Sequence, residues 1–188
     1  RTEGLELTAQ YERKNLTVNA SIGTADARYT RWLRQTATGF SDEKDKKLAA
    51  PDLTFNLLAD YRIPLPTGSL KATVEYLYRS RAPQAVTLPS GPIIPGDPAS
   101  PLRPSYNADA VDSLNFRLRY DITDRWSVTG WIRNALDDRA IILRQPNDAE
   151  GFYEAFGLFP PQDIRRQVTG DYQAPRHYGI DVRYGFGG

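Results

Sequence analysis

The chain of 188 residues has no cysteine, a single histidine and no long apolar run. Without cysteine it can form no disulfide framework, thiolate metal site or cysteine nucleophile. A membrane-spanning helix needs about 20 consecutive apolar residues. Their absence, together with a mean hydropathy of −0.55, excludes an α-helical membrane protein. The net charge of +1 leaves no basic stripe, so a nucleic-acid partner is not expected.

What the chain does contain is an alternation of apolar and polar residues, which is the pattern of a β-strand with one apolar and one polar face. In the third alternating segment, residues 53–63, only Leu58 breaks this alternation, and nothing outside the charge cluster at residues 42–48 suggests a helix. The sequence therefore predicts an all-β chain. The alternating segments are residues 5–12, 16–22, 53–63, 70–81, 114–122, 126–132 and 178–186.

The connections between these segments alternate strictly between short and long. Short links lie near residues 14–15, 64–69 and 123–125, and long links at residues 33–50, 82–110 and 144–174. Successive hairpins of an antiparallel barrel alternate between its two ends, so all the short turns fall at one end. Outer-membrane barrels have this asymmetry, with short periplasmic turns and long extracellular loops. Aromatic residues suited to a periplasmic girdle flank the short turns: Tyr11, Tyr61, Tyr120 and Trp126.

The alternation also predicts which side chains face lipid and which face the interior of such a barrel. The residues expected to face lipid include Phe55, Leu57, Val74, Phe116, Leu118, Ile180 and Val182. Those expected to face inward include Arg62, Lys71, Glu75, Arg79, Arg117, Arg119, Asp121 and Arg183. These inward charges could form hydrogen bonds with a plug or with a passing anionic ligand. Alternatively, they simply form the water-exposed wall of the barrel lumen. At one strand end, Asp137 and Asp138 are expected to form a salt-bridge cluster with Arg133 and Arg139.

Four stretches of the sequence resemble the β-barrel of TonB-dependent receptors, and they occur in the order typical of that family. The third contains a close version of the family's R-N-L-(T/D)-(D/N)-(K/R/E) ending, and the fourth has the closing P-R-x-(Y/F)-G-(V/I) strand with its terminal aromatic residue. The stretches are residues 50–57 (APDLTFNL), 76–81 (YLYRSR), 125–139 (RWSVTGWIRNALDDR) and 174–186 (APRHYGIDVRYGF).

The resemblance implies that residues 1–188 form roughly the last seven strands of an antiparallel transmembrane barrel of about 22 strands, with the plug domain and TonB box outside this chain. Because an odd number of strands makes the first and the last run in the same direction, we do not expect this chain to close a barrel by itself.

The resemblance further implies active transport across the bacterial outer membrane. A plug-filled barrel of this family captures a scarce ligand, with a ferric siderophore first and cobalamin or a glycan as other choices. The TonB complex, acting through the plug region, then opens it at the expense of the proton gradient. The expected partners are outer-membrane lipid, the small-molecule ligand and TonB. Neither a cofactor nor enzymatic activity is implied.

Two other functions stay open at this point. The first is a passive porin or a small structural barrel with an eighth strand. The second is an outer-membrane hydrolase in which His177 acts as a general base with Asp181 or Ser127. The long loops favour the transporter, and the single histidine argues against the hydrolase. The sequence upstream of Arg1 would discriminate, because a receptor has further strands and a globular plug there.

Candidate ligand-binding residues lie in the long loops. Guanidinium groups and phenols suit carboxylate-rich chelates, because they donate directed hydrogen bonds to anionic oxygens. On this basis the sequence offers six candidates for contact with an anionic or ferric ligand. They are Arg103, Tyr106, Arg144, Tyr153, Arg165 and Arg166. No catalytic, cofactor-binding or metal-binding residue is predicted.

Overall fold

The computed structural model describes residues 1–36, 39–42, 44–83, 107–146 and 168–186. Every regular element in these ranges is a β-strand, which confirms the predicted all-β class. No helix in these ranges has the length and apolar character needed to cross a membrane. The strands are β1 (Thr2–Arg13), β2 (Leu16–Ala27), β3 (Leu33–Thr36), β4 (Gly39–Asp42), β5 (Leu53–Pro64), β6 (Ser69–Arg79), β7 (Ala82–Pro83), β8 (Asn107–Ala108), β9 (Val111–Asp121), β10 (Trp126–Arg133), β11 (Ile141–Pro146), β12 (Val168–Tyr172) and β13 (His177–Tyr184).

The seven long strands form one antiparallel sheet in the order β1-β2-β5-β6-β9-β10-β13. They are the seven strands that the alternation predicts, with ends that differ by a few residues. Each long strand pairs with the next long strand along the chain, so the sheet is a continuous meander. The sheet is open, and its edge strands β1 and β13 run in the same direction.

The register of the sheet places apolar residues on one face and polar residues on the other. Val74 pairs with Phe116, and Phe116 pairs with Ile132. One position further along β9, Arg117 pairs with Thr73 and Trp131 on the opposite face. Because paired residues point to the same side of a sheet, the division into two faces is as predicted for every residue assigned to a face on β5, β6, β9 and β13.

The sheet has no hydrophobic core beneath it. Among the described residues, the only fully buried apolar side chains are Ala27, Ala82, Ala108 and Ala140. The large apolar residues of the apolar face remain exposed instead, with Leu118 at 50% and Ile180 at 76%. A soluble domain buries such residues and seldom exposes a continuous apolar patch. The apolar face is therefore suited to a hydrocarbon environment.

Short turns occupy one end of the sheet, here called the turn end: residues 14–15, 65–68 and 122–125. Gly68 is required in its turn, because φ is +81° and an added Cβ would lie 1.9 Å from the Asp121 carbonyl oxygen. Aromatic side chains gather beside these turns, as the girdle prediction expects. The ring of Trp126 lies 4.6 Å from that of Tyr184, and Tyr184 lies 4.6 Å from Phe186.

The opposite end, here called the loop end, carries short hairpins within the long connections. These are β3–β4, β7–β8 and β11–β12. The sequence predicted no strands within these long links, because the strands are short and lack a run of alternating residues. The bases of two loops are tied together. Asp109 N–H donates to the Ile141 carbonyl at 2.8 Å, and Ile141 N–H donates to an Asp109 carboxylate oxygen at 3.1 Å.

Candidate functional site

Some charges of the polar face are paired within the sheet and others are not. Two ion pairs lie toward the turn end. Asp60 lies 3.3 Å from the Lys71 ammonium and accepts a hydrogen bond from Thr73 at 2.5 Å. Arg119 donates to Asp121 at 2.7 Å. These contacts hold the side chains in place and leave little charge for another partner.

Five arginines of the polar face have no carboxylate within salt-bridge distance among the described residues: Arg62, Arg79, Arg117, Arg133 and Arg183. Two of them, Arg117 and Arg133, lie next to Trp131 on the neighbouring strands β9 and β10. The nearby carboxylates are already engaged by neutral donors. Asn115 Nδ2 donates to Glu75 at 2.9 Å, and Trp131 Nε1 donates to Asp181 at 2.8 Å. The guanidinium groups of Arg117 and Arg133 are therefore free to bind an added anion, as far as the described part of the chain shows.

Trp131 is the main side chain of this region that the sequence analysis missed. Its indole ring lies directly over Gly179, where an added Cβ would be 2.6 Å from Cζ2. His177 meets the ring edge-on, with centroids 5.6 Å apart, and the Arg133 guanidinium lies 5.5 Å from the ring centroid. The available signal was a tryptophan at a polar position of the alternation in β10.

These groups surround a depression of about 310 Å³ in the polar face, here called the upper depression. Leu58, the one residue that breaks the alternation in β5, contributes an apolar surface to it. A larger concavity of about 730 Å³ lies on the opposite, apolar face around Gly130 and offers almost no polar group. We assign the candidate site to the smaller one, because it combines charge with an aromatic surface. Its side chains are Leu58, Thr73, Glu75, Asn115, Arg117, Trp131 and Arg133.

Beside the upper depression, residues 134–139 form a turn at the end of β10, here called the rim turn. Asn134 is its centre, since it is 4% exposed with φ of 48°. Asn134 Nδ2 donates to the carbonyl oxygens of Asp138 and Ala174, both at 2.8 Å, and Oδ1 accepts from Asp138 N–H at 3.1 Å. Asn115 accepts from Asn134 N–H at 2.9 Å. The rim turn thus joins β9, β10 and the approach to β13.

The carboxylates of the rim turn behave partly as predicted. Arg139 lies 3.1 Å from Asp137, which confirms that pair. Arg133 does not join them, because its guanidinium lies over Trp131 instead. Asp138 accepts the backbone N–H of Asp112 at 2.8 Å, and so has a backbone partner rather than an ion pair. The salt-bridge cluster predicted for all four residues was therefore wrong for Arg133 and Asp138.

Asp137 is held in its charged form. Arg176 N–H donates to Asp137 Oδ1 at 2.9 Å. This backbone bond, reinforced by the Arg139 guanidinium, lowers the pKa of the Asp137 carboxyl below its ordinary value. The effect is local to the rim turn and fastens the start of β13 to the end of β10.

The side chains predicted to contact a ligand from the long loops lie outside the described part of the structure. Arg144 lies in β11, where its backbone pairs with Gly170, but its side chain is outside the description. The others lie outside the described residues altogether: Arg103, Tyr106, Tyr153, Arg165 and Arg166.

The residues of the hydrolase alternative are not brought together. His177 Nδ1 lies 2.9 Å from the Pro175 carbonyl oxygen, and Asp181 is bonded to Trp131. Ser127 is six positions along the sheet from the His177 pair, which is about 20 Å of strand. Across the residues that the structure describes, no group of three or more potential ligands is placed to hold a metal ion.

Comparison with known proteins identifies the fold's family. The family of TonB dependent receptor-like β-barrels matches residues 1–135, whereas no curated protein matches the chain. The ferric yersiniabactin uptake receptor FyuA from Yersinia pestis is 12% identical with a TM-score of 0.63, covering 97% of this chain and 23% of that one. The siderophore receptor PiuA from Acinetobacter baumannii is 14% identical with a TM-score of 0.63, covering 97% and 21%.

A third solved structure, the ferripyoverdine receptor of the outer membrane of Pseudomonas aeruginosa, is 18% identical with a TM-score of 0.61, covering 97% of this chain and 19% of that one. The chain thus spans about a fifth of the length of these receptors, and at such identities the likeness shows the fold. The family match extends over most of the chain, and it agrees with the open antiparallel sheet and its two contrasting faces. The chain belongs to the TonB-dependent receptor family and forms part of a β-barrel of the bacterial outer membrane.

Proposed function

We propose that the full-length protein is an outer-membrane receptor that imports a small ligand into the periplasm, with a ferric siderophore as the first choice, and that TonB supplies the energy. The observation that carries this proposal is the family match over residues 1–135, on a sheet with one apolar face and one polar face. The solved relatives include a ferric yersiniabactin uptake receptor, a ferripyoverdine receptor and a siderophore receptor, which supports iron chelates over cobalamin or glycans.

We further propose that this chain forms seven strands of a barrel of about 22 strands that encloses a plug. The two edge strands support this, because β1 and β13 run in the same direction and cannot pair antiparallel with each other. An odd number of further strands is needed to close the barrel. In hydrocarbon, an unpaired edge would cost several kcal/mol for each unsatisfied backbone group.

Uptake of radioactive iron by intact cells tests this function. Cells that express the full-length receptor would be supplied with iron(III) chelates under iron limitation, with and without TonB. We expect saturable uptake that requires both the receptor and TonB and that a protonophore abolishes. Uptake that is unsaturable and independent of TonB would contradict the proposal and support the passive porin.

A further inference from the structure

We propose that the upper depression is a binding site for a ligand that carries anionic oxygens next to an aromatic or apolar surface. This inference rests on the proposed function, since it narrows the class of ligand that the receptor would accept. The upper depression offers cationic donors, a flat aromatic ring and an apolar side chain within one concavity, from Arg117, Arg133, Trp131 and Leu58. A hydrated wall needs no such combination.

The charges of the upper depression favour an anion. Arg117 and Arg133 supply two guanidinium groups, against one carboxylate, that of Glu75. Glu75 already accepts a hydrogen bond from Asn115 at 2.9 Å. Arginine forks bind carboxylate, phosphate and similar oxygens with directed, charge-assisted hydrogen bonds. An anionic group placed here would satisfy donors that the described residues leave unbonded.

The aromatic surface is fixed before a ligand arrives. The Trp131 ring is held by its bond to Asp181, by contact with the Gly179 backbone and by the edge of His177. A ring held in this way loses little conformational freedom on binding. Arg133 stands 5.5 Å from the same ring centroid, so a flat ligand group at the tryptophan would also reach a cation.

The position of the upper depression suits a ligand that arrives from outside the cell. It lies at the middle of β9 and the loop end of β10, next to the rim turn, whereas the two ion pairs of the polar face lie toward the turn end. Its volume of about 310 Å³ falls at the lower end of the range for small-molecule pockets. We therefore favour a small ligand over an acidic segment of a plug, and the test separates the two.

The first test measures binding of iron(III) chelates of different charge to the full-length receptor. The probes are an anionic tris-catecholate complex, an anionic citrate complex and a neutral tris-hydroxamate complex. We expect an anionic complex to bind most tightly, and the double change Arg117→Gln with Arg133→Gln to weaken its binding about tenfold or more. Arg62→Gln is the matched control, an arginine of the same face near the turn end, and should leave affinity unchanged.

Three outcomes would overturn the inference. The neutral complex could bind best, or the double variant could bind the anionic complex as wild type does. The double variant could instead keep its affinity while the plug region becomes more sensitive to protease, which would assign the arginines to the plug. Iron uptake that persists in any of these cases leaves the proposed function intact. Failure of all complexes to bind or to be taken up would count against the proposed function itself.

A second readout does not depend on iron. Trp32→Phe and Trp126→Phe leave Trp131 as the only tryptophan of this chain. In the full-length receptor, the same pair of changes is compared with a version that also carries Trp131→Phe, so that the Trp131 signal is obtained by difference. We expect 2,3-dihydroxybenzoate to quench this signal saturably, its uncharged amide to quench it less, and the double arginine variant to abolish saturation. Equal quenching by both probes would overturn the inference that the upper depression prefers an anionic ligand.

Discussion

The two faces of the seven-stranded sheet are made from alternate residues of the same strands, yet their side chains are stabilised in different ways. On the apolar face, Leu118 and Ile180 are 50% and 76% exposed, and the protein itself does not cover them. On the polar face, Asp60, Asp121 and Asp181 are each bonded within the sheet. The apolar face thus depends on its surroundings, whereas much of the polar face is organised by the protein itself.

This difference predicts opposite responses to the same chemical change. A charge on the apolar face must be removed from water and finds no partner in lipid, so its cost depends on depth in the bilayer. A charge on the polar face meets water and neighbouring polar groups. Small changes of shape on the polar face have specific effects, because its side chains already hold each other in place.

The largest effect is expected for Leu118→Arg, near the middle of the apolar face. It should lower the free energy of unfolding by about 2–4 kcal/mol if the site lies close to the bilayer midplane. The matched change is Asn19→Arg on the polar face, where Asn19 pairs with Leu58 of β5. It should alter the free energy of unfolding by no more than about 0.5 kcal/mol. Denaturant unfolding of the receptor in lipid vesicles measures both. Equal costs at the two positions would contradict the assignment of the faces.

The next effect concerns the rim turn, where a polar residue is buried. Asn134→Ala removes three side-chain hydrogen bonds and should cost about 2–3 kcal/mol, because two carbonyls lose a donor. Asn134→Gly loses the same bonds but accepts the positive φ freely, so it should be somewhat less costly. Both are measured by denaturant unfolding. If Asn134→Ala were as stable as wild type, the rim turn would not fasten the strands.

A smaller effect is expected at the contact between Gly179 and Trp131. Gly179→Ala would place a Cβ 2.6 Å from the indole, and the ring must tilt away at a cost of about 1 kcal/mol. We expect a red shift of Trp131 emission in a background with Trp32→Phe and Trp126→Phe. Gly130→Ala is the control on the other face, where an added Cβ meets nothing within 4 Å. An unchanged spectrum for Gly179→Ala would refute the packing.

The smallest effect is the pH response of Asp137. Its pKa is lowered from 3.8, first by the Arg176 N–H bond and then by Arg139. The stabilisation is therefore fully present above pH 3.8 and is lost as pH falls through the lower folded value. The protection of the Arg176 amide against hydrogen exchange, relative to an unfolded peptide at the same pH, should be retained at pH 5 and lost only below pH 3.8. Asp137→Asn should remove this pH dependence, and its persistence in that variant would point to another group.

The strands and their faces could be predicted because the alternation of apolar and polar residues is visible in each segment by itself. It does not depend on which strands pair with each other. The sequence also located the turns and the aromatic residues beside them, since these depend on neighbours along the chain. The upper depression could not be predicted in the same way. Trp131 and Asp181 are 50 positions apart, and only the register of β10 with β13 brings them together. The burial of Asn134 likewise depends on Ala174, across a long loop.

Fluorescence of single tryptophans in brominated lipid tests the two faces most directly. Trp126 lies on the apolar face and Trp131 on the polar face, five positions apart on the same strand. In the full-length receptor, with all other tryptophans replaced by phenylalanine, lipid with brominated acyl chains should quench Trp126 strongly and Trp131 weakly. A water-soluble quencher should show the reverse preference. Stronger quenching of Trp131 than of Trp126 by the brominated lipid would contradict the assignment of apolar face to lipid and polar face to lumen.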